Sequence, residues 1–450
     1  MSNPDKYEAD LMTCVHCGLC LNACPTYLET GSEADSPRGR IVLMMGLHDG
    51  TLSPTDADVT EHLDRCLGCR ACETACPSSV PYGSLLEIAR DRINKANVRP
   101  KSTALSRKAL LSTMTNPAAM AASMKASRIF SPGQGGMSLP SFAVKMLSGK
   151  KAPAQTKALP AVIAPELPPA FTPAVGPKRF RVAVLTGCVM RVLFGDVNSD
   201  TVKVLAANGC EVLVNRRQGC CGALHIHNGY LDEARSMMRK LIDAFSPFDG
   251  LDAIIVNSAG CGSTMKEYGE LLADDPAYAE KARAFASKVR DVCEFLGDIG
   301  WVAPLKPLPG TEEAVGTYPP APNNGGAGEG QSDVSEIIVA YHDACHLSHG
   351  QKVREQPREL LSMIPGVRLV PLPESEICCG SAGIYNLTEP DMATRLQTRK
   401  VDHVLATGAS IVATGNPGCL AWIEAGVAER GIEIPIVVHP VTLLAAALAE

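Results

Sequence analysis

The chain has 450 residues, of which 46% are hydrophobic, 20% are charged and only 4% are aromatic. This length allows about three domains of ordinary size. No apolar run approaches the ~20 residues of a membrane span, and the first residues lack the apolar stretch of a secretory signal. We therefore expect a cytoplasmic protein. The net charge of −6 gives no reason to expect a nucleic-acid partner.

Cysteine is the most informative residue type, because eight of the 18 cysteines lie in two short runs near the N-terminus. The first run is Cys14, Cys17, Cys20 and Cys24, and the second is Cys66, Cys69, Cys72 and Cys76. Both fit C-x2-C-x2-C-x3-C-P, in which three cysteines bind one [4Fe-4S] cluster and the fourth binds the other. We predict one cluster on Cys14, Cys17, Cys20 and Cys76, and a second on Cys66, Cys69, Cys72 and Cys24.

In this pattern each fourth cysteine should begin a helix that carries it toward the other cluster. Paired zinc sites and a disulfide knot are the alternatives. Zinc needs only four ligands per site and no Cys-Pro pair, and disulfides are rare in the reducing cytoplasm. Both alternatives are therefore less favoured than two clusters, which would form an electron relay.

The next feature is a basic segment from Arg92 to Pro165, with twelve Lys and Arg residues and no Asp or Glu. It also contains five methionines, namely Met114, Met120, Met124, Met137 and Met146. The apolar residues Leu105, Ala109, Leu110 and Met114 follow one another at roughly helical spacing. A basic amphipathic stretch can lie on an anionic membrane surface, which would make the protein peripheral on the inner face of the cytoplasmic membrane. A solvated or partner-covered linker is the equal alternative.

Two segments are predicted to be linkers without regular structure. Ala152–Pro177 contains seven prolines, and Pro304–Gly330 contains six prolines and six glycines. The predicted domains are a two-cluster domain over 1–98, the basic segment and Pro-rich linker over 99–177, a first cysteine-rich domain over 178–303, a Pro/Gly linker over 304–333, and a second cysteine-rich domain over 334–450.

The two cysteine-rich segments repeat one another. The first contains Cys188, Cys220, Cys221 and Cys261, and the second contains Cys345, Cys378, Cys379 and Cys419. In both, a Cys-Cys-Gly triplet lies between two single cysteines, at intervals of 32 and 40 residues in the first copy and 33 and 40 in the second. This agreement indicates an internal duplication.

Each copy is predicted to be an α/β unit built on a parallel sheet, because short β-branched runs alternate with helix-length stretches. The predicted strands are Arg181–Leu185, Ala253–Val256, Ile337–Tyr341 and Ser410–Thr414. The predicted helices are Asp196–Ala207, Leu231–Phe245, Arg358–Ile364 and Asp391–Leu405. Every repeated cysteine falls beyond the carboxyl end of a strand, where such sheets place ligands. The fold class is therefore α+β, with an α-helical ferredoxin-type domain followed by two α/β domains.

The Cys-Cys-Gly triplets are interpreted as two metal ligands from one turn, with a glycine that permits a positive φ. Cys188 with Cys261, and Cys345 with Cys419, would complete the two sites for zinc or an additional iron-sulfur cluster. Buried structural thiols are the alternative. The nearby histidines could be ligands or polar loop residues; they are His225, His227, His342, His346 and His349. Cys210 and Cys293 have no counterpart in the other copy and are predicted to be core residues.

Together with the segment Ser36-Pro37-Arg38-Gly39-Arg40, these motifs resemble the iron-sulfur subunit of bacterial glycolate oxidase, also called glycolate dehydrogenase. They are shared with a wider superfamily that includes a heterodisulfide reductase subunit, the anaerobic glycerol-3-phosphate dehydrogenase C subunit and lactate-utilisation proteins. Three stretches favour the glycolate branch: Glu61–Arg65, Gly260–Gly262 with Lys266–Gly269, and Cys378–Gly383.

The resemblance implies an electron-transfer subunit that receives electrons from a partner FAD-containing dehydrogenase subunit, which oxidises glycolate to glyoxylate, and passes them to a quinone or other acceptor. The chain has no nucleotide-binding glycine motif, so the flavin and the substrate catalysis are expected on the partner. In heterodisulfide reductase the frame ends in C-x2-C and can bind noncubane clusters. Here Ser258 and Asn416 replace the first cysteine of that pair, which argues against such clusters and against a thiol/disulfide reductase.

Lactate or glycerol-3-phosphate dehydrogenase remains an alternative complex, and a zinc-binding scaffold is an alternative class.

Overall fold

The computed structural model describes residues 4–129, 166–308 and 336–449. The N-terminal region is helical, with its apolar core formed between the helices and the cysteine loops. Its helices are Pro4–Met12, Pro25–Thr30, Pro37–Asp49, Ala57–Asp64, Ala71–Thr74 and Tyr82–Lys95, with a 3-10 turn at Glu33–Asp35. Two further helices, Lys101–Thr115 and Pro117–Ile129, cover the first part of the basic segment.

The first repeat is a five-stranded sheet with helices on both faces. Its strands are β1 (Phe171–Thr172), β2 (Phe180–Leu185), β3 (Cys210–Leu213), β4 (Ala253–Val256) and β5 (Val289–Asp291), in the order β1-β3-β2-β4-β5. All pairs are parallel except β1 with β3. Its helices are Val189–Leu193, Gly195–Ala207, Ala223–His227, Leu231–Phe245, Ala259–Lys266, Tyr268–Leu271, Ala279–Lys288 and Val292–Ile299.

The second repeat is a four-stranded parallel sheet of the same design. Its strands are β6 (Ile337–Tyr341), β7 (Val367–Val370), β8 (Ile411–Ala413) and β9 (Ile436–Val438), in the order β7-β6-β8-β9. Its helices are Glu355–Ser362, Tyr385–Thr388, Pro390–Ala406, Pro417–Glu429 and Pro440–Ala446, and a π-helical turn covers His346–Gly350. Buried residues of both sheets belong to one continuous apolar core, so the repeats are packed together.

The predicted fold class is confirmed, as are all eight predicted strands and helices, with bounds that shift by at most three residues. The domain boundaries themselves stay predictions. The largest shift is at Glu355–Ser362, which begins before the predicted Arg358 because Pro357 fits the first turn of a helix.

Two expectations were wrong. The Pro-rich linker contains strand β1, which pairs only with β3, because prolines such as Pro169 and Pro173 are tolerated beside an edge strand. Cys24 does precede a helix, but Cys76 does not, since the next helix begins only at Tyr82. Pro81 disfavours helical backbone at the residue before it, which delays that start.

The described part of the basic segment packs against the protein. Leu111 is fully buried against Tyr230 and Ile384, one from each repeat. Arg107 is buried and, with Arg99, pairs with Asp64, while Lys108 pairs with Glu233. Met137, Met146, the stretch 152–165 and the glycine tract before Gly330 lie outside the described residues. No helix in residues 4–129, 166–308 or 336–449 has the length and apolarity needed to cross a bilayer.

Candidate functional site

The two N-terminal cysteine runs form loops that bend tightly around a small space. Each loop has two residues with left-handed backbone, His16 and Gly18 in the first and Gly68 and Arg70 in the second. Such turns aim neighbouring amides inward, and the amide of Gly68 donates to the Cys66 thiol at 3.4 Å. The second loop therefore directs a backbone N–H group at a cysteine sulfur, as a cluster with charged sulfurs requires.

The structure groups Cys24 with three cysteines of the second run. Cys24, Cys66, Cys69 and Cys72 are all buried and together line a cavity of about 20 Å³. Burial raises the pKa of the Cys69 and Cys72 thiols well above their usual value. Four crowded buried thiols suit iron, whose charge offsets that of the thiolates.

The other four cysteines lie nearer the surface. Cys14, Cys20 and Cys76 are half-buried against the apolar core of this region, and Cys17 is exposed. The two predicted ligand sets, in which the runs exchange their fourth cysteine, thus differ in burial. One set is buried and the other is peripheral. No disulfide joins any of the described cysteines.

Two residues that contact the buried set were missed by the sequence analysis. The Tyr82 hydroxyl donates to Cys66 at 3.6 Å, and the Arg40 guanidinium lies 4.0 Å from Cys24 while also donating to Thr26 at 3.0 Å. Arg40 is fully buried and pairs with Asp35. The Ser36–Arg40 motif was used only as a family signature, although an arginine between two cysteine runs is itself a signal for a thiolate partner.

The Cys-Cys-Gly triplets have the predicted backbone. Gly222 has a φ of 86° and Gly380 a φ of 93°, so each glycine is left-handed. A Cβ at Gly222 would lie 3.1 Å from the carbonyl oxygen of Ala234, and one at Gly380 would lie 2.7 Å from that of Ala393. Glycine is therefore required at both positions by the backbone angle and by close packing.

The four frame cysteines of each repeat come together. In the first repeat the Cys188 and Cys220 Sγ atoms are 3.6 Å apart, and hydrogen bonding from Cys188 lowers the pKa of the Cys220 thiol well below its usual value. In the second repeat Cys345 neighbours Cys378, and Cys379 neighbours Cys419. A thiolate beside further thiols is a donor set suited to zinc or iron.

Both repeated sites open into one cavity between the repeats, about 160 Å³ in volume. All eight frame cysteines line it, as do Ser258 and Asn416. The two loops that carry these residues touch, because the Ala259 amide donates to the Gly415 carbonyl at 3.1 Å. The duplication therefore yields two facing sites around a shared central cavity.

The buried N-terminal cysteines adjoin this central cavity. Cys66 lines it, and Cys69 belongs to the same apolar cluster as Cys378, Cys379 and Cys419. The half-buried Cys14, Cys20 and Cys76 pack against the core that contains Cys66 and Cys72. The N-terminal thiols therefore adjoin the buried set, and the buried set adjoins the central cavity.

The histidines near the sites fall into separate environments. The His349 ring contacts the Thr74 hydroxyl at 2.9 Å and the Glu376 carbonyl at 3.2 Å. The His227 Nδ1–H donates to the Glu87 carboxylate at 2.8 Å, and its ring centroid lies 4.8 Å from that of His346, with the planes tilted by 37°. The His346 Nδ1 lies 3.5 Å from the Cys345 Sγ. His225 is buried, and burial lowers its pKa.

His342 is different, because its ring is fully buried and burial lowers its pKa to about 3. One of its ring nitrogens, the Cys379 Sγ and the Cys419 Sγ all lie within 4.8 Å of one another. Cys210 and Cys293 lie in the shared apolar core, as predicted, and line no site described here.

Comparison with known proteins agrees with this architecture. A 4Fe-4S dicluster domain matches residues 10–80, and a cysteine-rich domain matches residues 182–266 and 339–424. The class is therefore an iron-sulfur protein that joins a two-cluster ferredoxin-type domain to two cysteine-rich repeats.

Three similar proteins narrow this class. The probable glycolate oxidase iron-sulfur subunit of Bacillus subtilis is 35% identical, over 94% of this chain and 91% of its own length. The glycolate oxidase iron-sulfur subunit of Escherichia coli is 34% identical, over 93% and 91%. Lactate utilization protein A of Oceanobacillus iheyensis is 29% identical, over 57% of this chain and 93% of its own length. The chain belongs to the glycolate oxidase iron-sulfur subunit family.

Proposed function

We propose that this chain is the electron-transfer subunit of a glycolate-oxidising complex. It accepts electrons from a partner FAD-containing dehydrogenase subunit, which converts glycolate to glyoxylate, and delivers them to a quinone or another acceptor. The proposal is supported above all by the position of the buried cysteine set, which lies between the half-buried Cys14, Cys20 and Cys76 and the central cavity.

The proposed ligands are those of the exchanged pattern. Cys14, Cys17, Cys20 and Cys76 hold the peripheral cluster, and Cys66, Cys69, Cys72 and Cys24 hold the buried one. Each bound [4Fe-4S] cluster supplies one-electron redox capacity. The chain's own residues set the surroundings: Tyr82, Arg40 and the Gly68 amide donate to the thiols of the buried set and favour its charged state.

The eight cysteines of the repeats are proposed to bind metal as well, as an additional iron-sulfur cluster or as zinc. Support comes from the close contact of the frame thiols, Cys188 with Cys220 in the first repeat and Cys379 with Cys419 in the second.

Lactate is the second candidate substrate for the complex, because a relative over 57% of this chain is named for lactate utilisation. The partner chain selects the substrate in either case. Co-purification of the complex followed by assays with glycolate, lactate and glycerol 3-phosphate separates these candidates, and activity confined to glycolate is expected.

We further propose that the protein is cytoplasmic and contacts the inner face of the membrane. The described segment offers exposed Lys101, Lys125 and Leu105 for this contact, whereas Arg107 and Lys108 already pair with acidic residues. Neutralising Lys101 and Lys125 should weaken salt-sensitive binding to anionic vesicles. Unchanged binding would remove the membrane proposal.

The electron-transfer role is tested by Cys17→Ser in the complete complex. Anaerobically purified wild type should contain about eight irons at the N-terminal cysteines. The variant should lose at least tenfold in acceptor reduction while the partner's flavin is still reduced by glycolate. Acceptor reduction at the wild-type rate would contradict the role. Asn22→Ser, in the same loop, is the matched control and should leave the rate unchanged.

A further inference from the structure

His342 is a buried imidazole without a well-formed hydrogen bond to any of the described residues, although the backbone of Ser375 lies near it. It follows strand β6, and its side chain has no exposed surface. Buried polar atoms in proteins are nearly always paired, and each unpaired one costs about 1–3 kcal/mol. The ring is therefore placed for a ligand that is not part of the chain.

Two thiols lie beside this ring. One His342 nitrogen, the Cys379 Sγ and the Cys419 Sγ are all within 4.8 Å of each other. Tetrahedral zinc with Zn–S near 2.3 Å and Zn–N near 2.0 Å places such donor atoms about 3.5–3.8 Å apart, so a small contraction completes the site. In a cubane cluster each iron takes its own cysteine, which separates the donor atoms more widely. The compact spacing favours a single ion.

The first repeat lacks this donor. His342 lies three residues before Cys345, and the residue three before Cys188 is Leu185. Leu185 occupies the end of strand β2 and is buried like His342. The duplicated scaffold thus carries an imidazole in one copy and an isobutyl group in the other, at the same position relative to the frame.

We propose that His342, Cys379 and Cys419 bind one zinc ion, which makes the second repeated site different in kind from the first. Neutral imidazole and two thiolates are donors that zinc prefers in tetrahedral sites. Among the described residues, no fourth His, Cys, Asp or Glu lies within the same distance of all three. Cys379 and Cys419 both line the central cavity, so the fourth coordination position faces that cavity.

This inference deepens the proposed metal-binding role of the repeats. The test uses the full chain, purified anaerobically, with zinc and iron measured separately. Wild type should retain about one zinc per chain, with two sulfur neighbours near 2.3 Å and a nitrogen neighbour near 2.0 Å at the zinc X-ray absorption edge.

His342→Leu copies the first repeat and should reduce zinc retention under chelator challenge at least tenfold, with the iron content unchanged. His342→Cys should restore zinc and add a third sulfur neighbour. His349→Gln, in the same repeat but outside the three-donor group, is the matched control and should keep the zinc.

A wild-type chain without zinc would overturn the proposal, and so would zinc retention in His342→Leu equal to wild type. Because His342→Cys fills the site with a different ligand, its failure to bind zinc in a chain with normal iron content would also count against it. None of these results depends on electron delivery, and loss of delivery in Cys17→Ser tests the proposed function separately.

Discussion

The two cysteine-rich repeats have the same frame but different surroundings. Both place their cysteines beyond strand ends, and both have left-handed glycine after the paired cysteines. They differ in the residue three positions before the first cysteine, which is Leu185 or His342, and in the N-cap of the helix that follows their last strand, which is Asp291 or His439. Duplication has thus kept the backbone that presents the thiols, while the side chains around it have diverged.

The repeats also attach differently to the N-terminal region. The first repeat is joined mainly by polar contacts, including Arg70 with Glu267 and His227 with Glu87. The second shares an apolar cluster with Leu67, Cys69 and Ala71. The buried cysteine set therefore packs against the second site.

The largest expected effect comes from substituting the left-handed glycines that both repeats share, Gly222 and Gly380. Gly380→Ala should lower the free energy of unfolding by about 3 kcal/mol and Gly222→Ala by about 1.5 kcal/mol, because both force a side chain into left-handed backbone and the Cβ at Gly380 also approaches a carbonyl more closely. Anaerobic urea denaturation measures both.

Gly431→Ala is the matched control for the backbone angle, since that glycine is left-handed but nothing lies within 4 Å of its added Cβ. It should cost about 1 kcal/mol. A cost for Gly380→Ala no greater than that of Gly431→Ala would show that close packing at Ala393 does not matter.

The second prediction concerns the polar attachment of the first repeat. Arg70→Ala should cost about 2 kcal/mol, because it leaves the partly buried carboxylates of Glu267 and Glu73 without their cation. Burial already raises the pKa of Glu267 to about 6, although Arg70 opposes this shift. Arg399 of the second repeat pairs with Glu29 of the N-terminal region and with Glu374 of its own repeat, and Arg399→Ala should cost about 1 kcal/mol or less.

A second substitution checks the cause. Adding Glu267→Gln to Arg70→Ala removes the unpaired charge and should recover part of the lost stability at pH 8. No recovery in the double variant would mean that the charge of Glu267 is not what Arg70 balances.

The third prediction concerns the pH dependence of the two N-cap residues, Asp291 and His439. Burial raises the pKa of Asp291 from 3.8 to about 7, so its contribution to stability is fully present below pH 3.8 and is lost as pH rises to about 7. Asp291→Asn should keep the cap to Cys293 and make the protein about 1 kcal/mol more stable than wild type at pH 8.

His439 should behave in the opposite way. Burial lowers the pKa of His439 from 6.5 to about 4, so its contribution to stability is present above pH 6.5 and is lost as pH falls to about 4.

Thermal unfolding of Asp291→Asn and wild type between pH 4 and 8 measures the pH dependence that Asp291 contributes. Parallel curves for the two proteins would contradict the raised pKa of Asp291.

Much of the architecture could be predicted because its signals are local. The C-x2-C-x2-C-x3-C-P runs, the duplicated cysteine intervals and the strand-helix alternation predicted the class, the repeats and eight elements within three residues. Strand β1 escaped prediction because its pairing with β3 depends on a distant segment, and the delayed helix after Cys76 depends on Pro81.

The sequence by itself determined which residues could ligate metal, because chemistry and spacing reside in the residues and their order. Only the tertiary structure decided that both repeated sites face one central cavity and that Cys66 borders it. It also decided that, among the described residues, the His349 ring has well-formed polar contacts and the His342 ring has none. These facts depend on burial and on contacts between segments up to hundreds of residues apart, and folding alone brings those segments together.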